Sequence, residues 1–330
     1  MAVQLQKLYQ TSTAGDLPSE TASNWVQGIN APGGPVEFFM IRADLVYTAL
    51  GVPYTTDFGQ LISSLRIILN GEVLFDFRSG QNSNTGTTES TFNYLINNIG
   101  GRSYEVPSTG DGATKEAYVA IPIGRQTPAG VNRWEIVMGW AAGATTPASG
   151  SVEYWIQTND AMQDSVTVVP STSFTHAAAI EMVTVKVPQN LPAGSVVSAL
   201  LVQNLTNAAD NLGTQGMMIR PISQFGIEAQ MWRFMNGDLS NGNLSAIGGA
   251  ADTGITQQQF NLGIPGVFLL PTFGLTGGDI VLQVDSSAAV TRTYTPIITA
   301  SVGARQVEQV RQTQIAPGNS AKAIIAPALD

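Results

Sequence analysis

Short apolar stretches rich in Val, Ile, Leu and aromatic residues recur along the chain, separated by Gly, Pro, Asn, Ser and Thr. That spacing predicts strands joined by turns. Residues 36–49 read as a first long strand. Residues 65–69 and 73–77 flank Asn70-Gly71, which supplies the φ > 0 positions of a type I′ turn, so they read as a hairpin. In its second arm Val73, Phe75 and Phe77 alternate with Glu72, Leu74 and Asp76, which predicts a sheet buried mostly on one side. Ser90 can cap a helix over 91–99, with Phe92, Leu95, Ile96 and Ile99 on one face and Gly100-Gly101 as its stop. Strands follow at 117–121, ended by Pro122, at 134–140 and at 152–158.

The same order then returns. Residues 179–187 alternate strictly, Val183, Val185 and Val187 against Met182, Thr184 and Lys186, and 196–202 reads as a strand. A strand pair at 217–222 and 227–234 takes the place of the hairpin. A helix-like segment at 255–262 precedes strands at 267–270, ended by Pro271, at 279–284 and at 293–299. Long uncharged loops, 81–89 and 236–254, precede the two helical segments, and the second contains the tandem NGDLS-NGNLS. The reading divides the chain into an N-terminal arm (1–35), a first β domain (36–160), a linker (161–178), a second β domain (179–302) and a C-terminal arm (303–330). The arms carry Leu5, Leu8, Trp25, Ile315, Ile324 and Ile325 without a pattern that closes a core of their own. They are expected to pack on other surfaces and are the candidate assembly residues.

At 330 residues the chain has room for two such domains. Charged residues make up only 12%, about half the usual share, which suits surfaces that meet copies of themselves. The net charge is −9, and 1–32 holds one basic residue, Lys7, so a basic genome-binding arm is absent and direct nucleic-acid binding is not expected. There is no cysteine, hence no disulfide or thiolate metal site. The opening MAVQLQKLYQ lacks the apolar core of a signal peptide, which predicts synthesis in the cytoplasm.

Chemistry is hard to find. His176 is the one histidine and reads as a linker residue with a local hydrogen bond, not as a metal ligand or catalytic base. Glu135, Glu153, Glu181, Glu228, Asp279 and Asp285 read as solvated strand carboxylates rather than a glycosidase pair. Asn236, Asp238 and Ser240 echo a calcium loop, but Asn241 and Ile247 break the pattern. No catalytic, cofactor-binding or metal-binding residue is assigned, and the chain does not read as an enzyme. Tyr154-Trp155 could stack on a sugar, which makes a carbohydrate-binding or adhesin-type β-sandwich the alternative reading. Core or interface packing is the better account of the pair.

The 65–77 hairpin with its Asn70-Gly71, the 92–99 helix, the strand triplet ending at Thr158 and the second-half counterparts ending at Thr299 resemble the double jelly-roll major capsid proteins. Adenovirus-like shells and the shells of tailless phages with an internal membrane are built from these. The resemblance covers about 36–300. It implies an all-β fold of two tandem eight-stranded jelly-roll barrels, with short helices in long loops and extended terminal arms. It further implies homotrimers of pseudo-hexagonal outline, self-assembly into an icosahedral shell, and a place in the virion capsid. The implied partners are other copies of the chain, a vertex or penton protein and an internal lipid membrane. The long loops would lie at the outer end of the barrels and the arms at the inner end or on neighbours.

Overall fold

The computed structural model describes residues 3–10, 23–31, 34–46, 58–78, 90–106, 114–128, 130–140, 149–159, 164–188, 194–205, 217–219, 267–275, 279–286 and 289–300. The first half holds β1 (Val3–Gln10), β2 (Ser23–Ala31), β3 (Gly34–Val46), α1 (Phe58–Leu61), β4 (Ile62–Leu69), β5 (Glu72–Arg78), α2 (Thr91–Asn98), β6 (Arg102–Val106), β7 (Thr114–Thr127), β8 (Gly130–Trp140) and β9 (Ser149–Asn159). Then come β10 (Ser165–Val168), β11 (Thr172–His176), β12 (Ile180–Val185), β13 (Ser195–Asn204), β14 (Met217–Ile219), β15 (Val267–Leu275), β16 (Ile280–Asp285) and β17 (Val290–Ala300). The expected helix at 255–262, the loops at 81–89 and 236–254, the strand at 227–234 and the stretch 303–330 lie outside the described residues.

The fold is all-β, as the pattern predicts, and the strands interleave. In the first half β1-β9-β3-β7-β6 form one sheet, while β2-β8-β4-β5 lie side by side in another. In the second half β15-β13-β17, with β11 alongside β17, repeats the first order, and β12-β16-β14 repeats the second. Apart from the neighbours β4-β5, β6-β7 and β10-β11, successive strands within each half alternate between two sheets, which is jelly-roll winding. β10 pairs antiparallel with β17 and meets β5 in parallel at Val168 and Phe75, so one sheet of nine strands runs across both halves.

Local chemistry fixes several elements as expected. Asn70 (φ 51°) and Gly71 (φ 86°) make the left-handed turn between β4 and β5. The Asn70 side chain accepts from Arg133 N at 2.8 Å and locks the turn onto β8. The Ser90 Oγ accepts from Asn93 N at 3.0 Å and caps α2. At the other end Gly100 turns left-handed (φ 91°) and Gly101 N donates to Ile96 O at 2.9 Å, closing a Schellman stop. Phe92 then meets Phe77 and Phe75 edge-on, with centroids 5.3 and 6.4 Å away. In β12 and the two residues after it, Val183, Val185 and Val187 are buried and Met182, Thr184 and Lys186 exposed, as the alternation predicts.

Other expectations are corrected. Pro122 and Pro271 do not end strands: β7 and β15 run through them. Each proline stands opposite a residue that follows a bulge. Pro122 faces Phe38 beside a bulge in which Ile123 and Gly124 of β7 stand against Glu37 alone, and Pro271 faces Ala199 beside one in which Thr272, Phe273 and Gly274 of β15 stand against Ser198 alone. A bulge disrupts the ladder locally, so the missing N–H of proline is tolerated there. The second face of β5 is not open either. Leu74 is an extra residue between the Ile67–Phe75 and Ile68–Val73 pairs, so the alternation slips, and both Leu74 and Asp76 are buried. Asp76 is held by Arg66, whose Nη2 lies 2.6 Å from Oδ2.

The stretch 161–178 is not a plain linker, because it holds β10 and β11. Nor is 1–35 an arm, because β1 pairs with β9 and β2 with β8 over their whole lengths. Leu8 is buried in the main core cluster, which also holds Phe39, Tyr154 and Trp134. A second cluster, around Val183, Val185, Leu200, Val202, Leu282 and Tyr294, lies within the second half.

Candidate assembly interface

The outer face of the β1-β9-β3-β7-β6 sheet is where the first half leaves apolar and aromatic side chains uncovered. Alternation along β9 sends Tyr154 inward, where it is buried, and Trp155 outward. Register places Trp155 beside Lys7 on β1 and Met40 on β3, and places Arg42 between Glu153 and Tyr118. Leu5, Met40, Arg42, Tyr118 and Trp155 line a shallow apolar depression of about 190 Å³. Leu5, at 58% exposure, and Tyr104, at 63%, extend the apolar surface towards the two edges of the sheet.

Charges on this face are paired with each other. Glu153 lies 2.6 Å from Lys7 Nζ and 3.7 Å from Arg42 Nη1, and accepts from Trp155 Nε1 at 3.0 Å. Its partial burial would raise its pKa, but the hydrogen bonds from Lys7 and Trp155 and the two positive charges together hold it below the usual carboxylate range. The Lys7 ammonium sits 5.5 Å from the Trp155 ring centre, and the Arg42 guanidinium 5.8 Å from that of Tyr118. The Tyr118 hydroxyl donates to Glu116 at 2.8 Å, and that bond, with some desolvation, raises its pKa. The face is therefore apolar with internally neutralised charge, a composition suited to protein contact.

Of the residues expected to act in assembly, Leu5 lies on this face. Leu8 points the other way into the core, which corrects its assignment. Trp25 lies in β2 with its backbone opposite Ile136. Ile315, Ile324 and Ile325 lie outside the described residues. Sequence reasoning missed Met40 and Tyr118, whose strands read as generally apolar. It treated Tyr154-Trp155 as a pair, although a strand must send the two rings to opposite faces.

His176 is more than a linker residue. It is buried, with Nδ1 3.0 Å from Glu181 Oε2 and Nε2 2.8 Å from the Tyr294 hydroxyl. Among the described residues no group of three or more His, Asp or Glu side chains could hold a metal ion.

No protein-family model and no curated protein sequence matches the chain. Solved structures do. The major capsid protein of Sulfolobus turreted icosahedral virus superposes with a TM-score of 0.52 at 10% identity, over 93% of this chain and 99% of that one. An atomic structure of the same virus gives 0.51 at 12% identity, over 94% and 96%. The chain has the double jelly-roll fold of viral major capsid proteins. The capsid-protein fold thus extends over nearly the whole length of both chains. The major capsid protein P2 of bacteriophage PM2 is also similar, with a TM-score of 0.48 at 12% identity over 91% and 98%.

Proposed function

We propose that this chain is a structural major capsid protein that self-assembles as pseudo-hexagonal trimers into an icosahedral virus shell. The observation that carries the reading is the full-length match to capsid-protein folds, joined to the internal repeat. Two similarly wound halves per chain make six similar units in a trimer, and a near-sixfold outline tiles a lattice. The low charge content reduces repulsion between many identical subunits. On this reading the chain resides in the virion and has no catalytic role. Its partners are other copies of itself, a vertex protein where the lattice closes, and an internal lipid membrane that would separate an acidic coat from the genome. The loops 81–89 and 236–254 then belong at the outer end, and 303–330 at the inner end or on neighbours.

Size-exclusion chromatography with light scattering tests the reading. The purified full chain should elute at three times its 34.8 kDa mass or larger. A chain that stays monomeric at high concentration and neutral pH would overturn it.

A further inference from the structure

Asn70-Gly71 joins a tight hairpin turn to a pair of residues prone to deamidation, because glycine has no side chain to shield its own N–H. In an open chain the Gly71 nitrogen attacks the Asn70 side-chain carbonyl carbon. A bond from that nitrogen to Cγ forms and the Cγ–Nδ2 bond breaks. The displaced proton leaves with Nδ2 as ammonia. Water then opens the resulting ring imide at either carbonyl, which leaves aspartate or isoaspartate at position 70.

In the folded chain the reactive amide is held at both ends. Asn70 Oδ1 accepts from Arg133 N at 2.8 Å, and Asn70 Nδ2, the leaving nitrogen, donates to Asn132 Oδ1 at 3.1 Å. Asn70 N donates to Arg133 O at 2.8 Å, so the backbone is tied to β8 as well. Asn70 (φ 51°) is the only non-glycine residue with positive φ among the described residues, and these three bonds keep it there.

The bonds also have a direction. Asn132 is buried and donates from Nδ2 to Pro128 O at 3.1 Å. A carbonyl only accepts and a backbone N–H only donates, so the run from Pro128 O through Asn132 and Asn70 to Arg133 N closes in one polarity. It requires an amide at position 70. An aspartate there keeps its bond from Arg133 N but turns a second acceptor towards Asn132 Oδ1. Reversing the Asn132 amide would only move the conflict to Pro128 O. Isoaspartate adds a backbone atom to the two-residue turn between the paired Leu69 and Glu72.

We propose that Asn70-Gly71 is a modification site gated by the fold. It is shielded from deamidation while the β4–β5 hairpin is docked on β8, and it reacts when the hairpin opens. Once it has reacted, the hairpin cannot redock with the same bonds. Asn132 is the positioning residue that holds the leaving nitrogen. The site irreversibly marks chains whose hairpin has spent time open, whatever their state of assembly.

Peptide mapping by mass spectrometry tests this on the full chain, held in mildly alkaline buffer with and without urea. Three bonds must break before the native chain reacts, so conversion at Asn70 should be roughly a hundredfold slower without urea. In urea the peptides with Asn236-Gly237 and Asn241-Gly242 should convert alongside it. Equal rates at Asn70 in the two conditions would overturn the shielding. No conversion at Asn70 in urea would remove it as a modification site. Asn70→Asp tests the second part. It should melt below the wild type at neutral pH, and the gap should narrow as pH falls towards about 4, where a protonated carboxyl regains the donor that Asn132 Oδ1 requires. An absent gap, or one that does not narrow, would overturn the conflict of acceptors.

Discussion

The Tyr294 hydroxyl and His176 Nε2 lie 2.8 Å apart, tying β17 to β11 inside the second half. Because the Glu181 carboxylate can only accept, Nδ1 of the neutral ring carries the proton towards it and Nε2 accepts from Tyr294. The neutral imidazole is thus satisfied on both sides. Burial, chiefly, and the charge of nearby Arg292 lower the His176 pKa, against the opposing pull of Glu181.

A pH dependence follows from that shift. A histidine lowered below its unfolded value of about 6.5 is bound by protons first in the unfolded state. Its contribution is fully present above that pH and is lost as pH falls from about 6.5 towards the folded value. Melting curves from pH 8 to 5 should show a fall in stability for the wild type that is shallower in His176→Gln. Equal slopes in the two proteins would remove His176 from the account.

Tyr294→Phe removes the donor to Nε2 and leaves a buried acceptor unmatched. The expected cost is about 1–3 kcal/mol, read from denaturant unfolding. A neutral result would mean that the hydrogen bond adds nothing to the β11–β17 contact.

Phe92 joins α2 to β5 through two edge-on ring contacts and is fully buried. Phe92→Ala should cost about 3–5 kcal/mol in the same measurement. A loss under about 1 kcal/mol would show that the helix does not depend on this anchor.

Gly101 leaves no room for a side chain, because a Cβ there would fall 2.5 Å from Ala120 O and 2.6 Å from Ile96 Cγ2. Gly101→Ala should lower the melting temperature, as either the helix end or β7 must shift. An unchanged melting temperature would show that the helix stop yields without cost.

Deleting 306–330 should leave the melting transition in place and weaken particle formation seen by electron microscopy, since Ile315, Ile324 and Ile325 follow no pattern that closes a core of their own. A truncated chain that cannot fold would place the tail in a core. Normal particles would make it dispensable for assembly.

Features that depend on neighbours along the chain were legible in the amino-acid sequence. The Asn70-Gly71 turn, the Ser90 cap, the Gly100-Gly101 stop and the alternation of β12 are set within a few residues, because backbone φ preferences and side-chain periodicity are local. The order of segments also revealed the repeat. The remaining features depend on pairing between distant segments. β1 and β11 look like arm and linker until β9 and β17 pair with them from more than a hundred residues away. Pro122 and Pro271 continue their strands only because those strands bulge beside them. The candidate interface was likewise invisible. Periodicity assigns Trp155 and Thr295 each to a strand face, but only tertiary packing leaves Trp155 partly open and buries Thr295.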